Sequence, residues 1–305
     1  MDGGRADGTT VAAARGIDIN DELRTVQARA CGAWILPGDP SCAGVARRTF
    51  LRVADVLSLD PAVTDDGVTM VSELAANTLH AQRELHAQRS QHPDRGQHRR
   101  ELHAATPELW FYLRGAGQHR ELVCKVFDAF PGWLRGNVPA RGPRRAPADA
   151  VSGRGLEVVH ELSQGRWGYH LTRARLAGWQ VRGKAVWFAV PARTTPESGA
   201  RRMRMSARAA MTEFTDALAA RGFTGKMVRS DDPAADMAVL SVCAGLTVWC
   251  WSGSIWLRAQ RGGEERSYCD LIEVAEQTVE AYESVTARPE PALFANVTRS
   301  RCLLP

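Results

Sequence analysis

Val71-Ser72-Glu73-Leu74-Ala75-Ala76-Asn77 lies within residues 66 to 89, where Val68, Val71, Leu74, Ala75 and Leu79 recur at three- and four-residue steps and no Pro or Gly follows Gly67. That spacing predicts a helix with one apolar face. Glu73 and Asn77, four residues apart, then stand one turn above the other on the same side. A carboxylate there can take a proton from an attacking hydroxyl, and an amide oxygen is a hard ligand suited to Mg²⁺. Such a spacing arises readily by chance, and alone it reads first as a solvated helix face.

Two later stretches add to it. Glu121-Leu-Val-Cys-Lys-Val-Phe-Asp128 alternates as a strand does and is followed by the turn pair Pro131-Gly132. An acid at the end of a buried strand can accept a hydrogen bond from the exocyclic amine of adenine, with apolar neighbours as the wall of a base pocket. Gly153-Arg154-Gly155-Leu156 then opens a helix expected over Leu156 to Ser163. Glycines at a helix start let the backbone come close to phosphate, and the free amides there favour an anion.

In order and spacing, residues from about Trp34 to Val190 resemble the GHKL ATPase superfamily, in particular the anti-sigma-factor serine kinases and related ATP-binding regulators of actinomycetes. Leu36-Pro37-Gly38-Asp39-Pro40, Ala46-Arg47-Arg48, Ser72-Glu73-Leu74 with Asn77, Val126-Phe127-Asp128, Gly153-Arg154-Gly155-Leu156, Trp167-Gly168 and Gly183-Lys184-Ala185-Val186-Trp187-Phe188 carry the resemblance. It implies an α/β sandwich of the Bergerat type, with helices on one face of a mixed, largely antiparallel sheet. It also implies ATP and Mg²⁺ as cofactors. Glu73 would activate the nucleophile, Asn77 would bind Mg²⁺, Asp128 would hold adenine, and Gly153, Arg154, Gly155 and Leu156 would line the nucleotide. The implied partner is a protein, a sigma factor or an antagonist of one, and a homodimer, as in some relatives, is the further assembly that the resemblance implies. Two positions depart from the family pattern: Phe130 stands where Asp-x-Gly has its glycine, and Lys184-Ala185 stand where a threonine is usual. These departures define the alternative, a non-catalytic scaffold with a degenerate nucleotide site.

Composition narrows the class. A chain of 305 residues with 44% hydrophobic content can form one substantial domain and a smaller one. No run of about 18 apolar residues occurs and the start, Met1-Asp2-Gly3-Gly4-Arg5, is polar, so a cytoplasmic protein without a membrane anchor is expected. The seven cysteines form no Cys-x-x-Cys pair, which removes zinc-ribbon and thioredoxin-like readings. Net charge is +5, but only Lys125, Lys184 and Lys226 are lysines and 34 acids are interspersed, so nucleic acid is not the expected partner. His80, His86, His92, His98 and His103 fall in one polar stretch, yet six-residue steps drift around a helix and make no compact metal face.

The expected organisation is an extension over 1–30, the ATP-binding domain over 31–192, a linker over 193–205, a small α+β interaction domain over 206–290 and a tail over 291–305. Between Phe130 and Ser152 the Pro, Gly and Arg content predicts a long loop in the place of the family's ATP lid. In the second domain, helices are expected over Ala207–Arg221 and Asp270–Glu283, with strands at Met237–Val242, Leu246–Trp251 and Ser254–Leu257. Trp249, Trp251 and Trp256 can form an exposed aromatic surface for a partner, but aromatic residues of strands are more often core, and the core is the expected place. No catalytic constellation marks this half.

Overall fold

Helix α1 (Cys42–Val56) and helix α2 (Pro61–Ser90) cross where Phe50 lies against Gly67. A methyl group at Gly67 would sit 2.1 Å from the Phe50 ring, so glycine in mid-helix is the condition for this close crossing. α2 starts at Pro61 rather than residue 66. Asp60 Oδ1 accepts from the Ala62 N–H at 3.0 Å, and proline at the first helical position forgoes an N–H that has no helical partner. The structure is a computed structural model that describes residues 23–26, 30–90, 106–130, 154–192, 204–223, 225, 227–259 and 262–286, with only the backbone of 84–90. The extension before residue 23, the expected lid over 131–152, Gly153, His92, His98, His103, Lys226, Cys302, most of the linker and the tail lie outside the described residues.

Five strands form the first sheet: β1 (Gly32–Ile35), β2 (Glu108–Arg114), β3 (Glu121–Asp128), β4 (Trp167–Arg173) and β5 (Arg182–Pro191), in the order β1-β2-β3-β5-β4. Every pairing is antiparallel, so the parallel component of the expected mixed sheet is absent among the described residues. Alternation divides the side chains between two faces. Leu122, Cys124 and Val126 join Phe50, Val53, Met70 and Leu74 in a core under α1, α2 and the short helix α3 (Gly155–Leu162). Val123, Lys125 and Phe127 point to the opposite face.

The second sheet is a meander of β6 (Val228–Asp232), β7 (Met237–Cys243), β8 (Leu246–Trp251), β9 (Ser254–Ala259) and β10 (Gly262–Ser267), again fully antiparallel. Helices α4 (Ala207–Ala219) and α5 (Leu271–Thr286) cover one of its faces, where Leu240, Val248 and Ile255 meet Phe214, Leu218 and Val274. The edge strands β6 and β10 read Val-Arg-Ser-Asp-Asp and Gly-Gly-Glu-Glu-Arg-Ser. They carry no apolar alternation, which is why only the three inner strands were legible in the sequence.

The core expectation for the three tryptophans is overturned in favour of the exposed alternative. Val248, Cys250, Ile255 and Leu257 face the core, so their alternating neighbours Trp249, Trp251 and Trp256 face outward. Trp249 pairs across the strands with Trp256, and Trp256 is 37% exposed. Period-two alternation within the strand overrides the general tendency of aromatic residues to be buried.

Helix α5 has a second apposition, onto the face of the first sheet that lacks helices of its own. Glu273, Glu276 and Glu283 point there from one side of α5. Tyr112 donates to Glu273 at 2.5 Å, and Arg173 and Arg182 both pair with Glu283. Arg221, at the end of α4, is 1% exposed; it donates to Ala174 O and Thr172 Oγ1 and lies over the Trp110 ring. Buried ion pairs join the two halves beside the packing of Ile272 on Tyr112, Val123 and Ala189, and they are strict about geometry because an unpaired buried charge is costly. Among the described residues no helix is long and apolar enough to cross a membrane.

Candidate functional site

Glu73 and Asn77 stand one turn apart on α2, and the start of α3 lies directly on them. A methyl group at Gly155 would be 2.7 Å from Glu73 Oε2 and 3.0 Å from Asn77 Nδ2. A side chain at this position would displace the ends of the Glu73 and Asn77 side chains, and glycine leaves the approach clear. The backbone at the α3 N-terminus is thereby brought beside a carboxylate and an amide that are neighbours only in space. α3 is seated by Val159, fully buried, and by Leu156 and Leu162, which pack on the core. Leu156 therefore anchors the helix, and Arg154, at its N-cap, is exposed. Arg47 of α1 approaches Ser72 on the same stretch of α2, Nη1 to Oγ at 3.5 Å.

Asp128 ends β3 on the helix-covered face and is 3% exposed. Its cross-strand partner is Lys184 of β5. Lys184 Nζ donates to Asp128 Oδ2 at 2.8 Å and to the Phe130 carbonyl at 2.7 Å, while the Phe130 N–H donates to Asp128 Oδ1 at 2.9 Å. Gly183 makes this possible, since a methyl group there would lie 2.1 Å from the Asp128 carbonyl oxygen. Both departures from the family pattern, Phe130 and Lys184, are therefore parts of one closed turn around the acid. A carboxylate offers about four acceptor positions, and two are used here.

Sequence reasoning passed over a second polar centre on the other face of the sheet. Lys125, 3% exposed, donates to His170 Nε2 at 3.0 Å and lies 3.6 Å from Glu276 Oε2. Arg175 and Arg221 each stand 2.9 Å from Glu276 Oε1. Burial and the Lys125 charge push the His170 imidazole down to about 3, so the ring is neutral, with Nδ1 directed at the Leu171 carbonyl. Burial alone would raise the Glu276 carboxyl, but Arg221, Lys125 and Arg175 hold it below the usual range. The available signal was a lysine at an inward-alternating position of an apolar strand in a chain with three lysines.

Of the predicted site residues, the structure brings Glu73, Asn77 and Gly155 together, and places Asp128 at the end of a strand on which α2 packs. Among the described residues no group of three His, Cys, Asp or Glu side chains is placed to hold a metal ion. No protein-family model, curated protein or solved structure matches this chain.

Proposed function

We propose that the chain is an ATP-binding regulatory protein of the GHKL type, an anti-sigma-factor-like serine/threonine protein kinase acting on a protein partner. The observation that carries the reading is the seating of Gly155 on Glu73 and Asn77. It unites a proton acceptor, a hard oxygen ligand and helix-start amides, the three elements that phosphoryl transfer requires of a protein. The grouping of α1, α2 and α3 on one face of the first sheet supports the Bergerat-type sandwich.

In this reading Glu73 takes the proton of the substrate hydroxyl. Asn77 supplies an oxygen ligand to Mg²⁺, which, when bound, offsets the charge of the β- and γ-phosphates. The amides following Arg154 orient the phosphates. The free acceptor positions of Asp128 receive the adenine amine beside the Lys184 contact. The outward tryptophans of the second sheet, with Glu265 directly across from Trp256, fit a protein partner better than nucleic acid, which would require a basic face.

The closed turn of Asp128, Phe130 and Lys184 favours a second reading, a scaffold whose base pocket is filled by its own side chains. Calorimetric titration with ATP, with and without Mg²⁺, separates the two: magnesium-dependent binding is expected for the kinase, and no binding at millimolar ATP for the scaffold. Glu73→Ala is then expected to lower phosphate transfer by about 10²–10⁴-fold and to spare ATP binding. Undiminished transfer would remove Glu73 from its assigned role.

A further inference from the structure

A cavity of about 210 Å³ lies at the seam between α5 and the first sheet, lined by Lys125, Trp187, Glu273, Glu276, Gln277 and Glu280 among others. It is on the face opposite Glu73, and the inference drawn from it stands whether or not the nucleotide reading holds. Its lining holds hydrogen-bond acceptors that the protein does not fill. Glu276, 1% exposed, spends Oε1 on Arg175 and Arg221, while Oε2 is buried without a hydrogen bond. Gln277 Oε1 is buried and equally without a donor. Glu280, one turn beyond Glu276, has a side chain that forms no hydrogen bond or ion pair among the described residues, and burial raises its pKa.

Among the described residues, the one cation in the cavity wall, Lys125, is already committed. Lys125 donates to His170 Nε2 at 3.0 Å and faces Glu276 at 3.6 Å. The neutral His170 ring brings no positive charge. Glu273 is satisfied by Tyr112 and Arg114. The deficit therefore consists of donors, three acceptor groups wide. A single metal ion does not meet it, because no three His, Cys, Asp or Glu ligands converge among the described residues. One wall is apolar: Trp187 lies flat over Gly168, where a methyl group would come within 2.9 Å of the indole, and its ring also receives the Arg114 guanidinium at 5.1 Å.

We infer that this cavity binds a small organic ammonium with N–H donors and a short aliphatic body. The N–H groups meet Glu276 Oε2, Gln277 Oε1 and Glu280, and the body lies against Trp187. About seven waters at ~30 Å³ each would fill the same volume, so the alternative is plain hydration.

Titration of the full chain with n-butylammonium, by calorimetry and by melting temperature, tests the inference, with tetramethylammonium as the control that carries charge without N–H groups. Saturable heat and a rise in melting temperature are expected with n-butylammonium alone. Glu280→Gln, at a half-buried position, is expected to stay folded and to weaken the affinity about tenfold or more. Gln277→Met, which removes one acceptor and no charge, is expected to weaken it less. Absence of saturable heat, an equal response to tetramethylammonium, or an affinity unchanged in both variants would overturn the inference.

Discussion

Replacement of His170 by Asn should remove a defined share of the protein's loss of stability in mild acid. His170 is 6% exposed, with Nε2 accepting from Lys125 and Nδ1 directed at Leu171 O. Burial first, and the Lys125 charge second, lower its pKa from 6.5 in the open chain to about 3 in the folded protein. Between those two values the unfolded chain binds a proton that the folded chain refuses, so stability is complete above 6.5 and declines as the pH falls toward 3. At about pH 5 the open-chain imidazole is about 97% protonated, and the cost to folding is roughly 1.36 kcal/mol times 1.5, about 2 kcal/mol. A folded value one unit higher changes this little, since it would still lie below pH 5. Glu276, whose carboxyl is depressed from 4.5, loses its contribution only at lower pH, and the choice of about pH 5 largely avoids it. Urea unfolding of both proteins near pH 7.5 and near pH 5 gives the difference of differences. The His170→Asn protein should lose about 2 kcal/mol less between the two conditions. Equal losses, within about 0.5 kcal/mol, would refute the assignment of a buried neutral imidazole beside Lys125.

Two further substitutions examine the first sheet and its helices. Lys184→Ala leaves Asp128, 3% exposed, without its counter-charge and should cost about 3–5 kcal/mol in chemical denaturation, while the pair Asp128→Asn with Lys184→Met should recover much of that loss. Gly67→Ala places a methyl group 2.1 Å from Phe50 and should lower stability by about 1–3 kcal/mol despite the higher helix propensity of alanine, with Phe50→Leu restoring part of it in thermal melts.

How much was legible can be seen at single elements. The β3 strand appeared in the sequence with its true ends, Glu121 and Asp128, because its apolar run is nearly continuous, as suits a strand buried on both faces, and the turn pair Pro131-Gly132 follows it. The helix bearing Glu73 and Asn77 was legible in its apolar face but not in its start. Gly67 reads as a stop, and only the Phe50 ring packed on it shows why the helix runs through. β6 and β10 were invisible, since an edge strand exposed on both faces carries no apolar pattern. The tryptophans were legible as strand residues but were assigned to the wrong face, because the side of a strand that meets a core depends on which face the helices cover.

The sequence by itself determined the alternation of strands and helices, the four-residue spacing of Glu73 and Asn77, and the acid at the end of β3, all of which depend on neighbours within a turn or a pleat. The tertiary structure alone decided that Gly155 sits on that pair, that Lys184 closes on Asp128, and that Lys125, His170 and Glu276 meet at a cavity. Those contacts join residues far apart in the chain. Local periodicity holds no record of them, because they depend on which sheet face each helix covers and on how closely two backbones can approach.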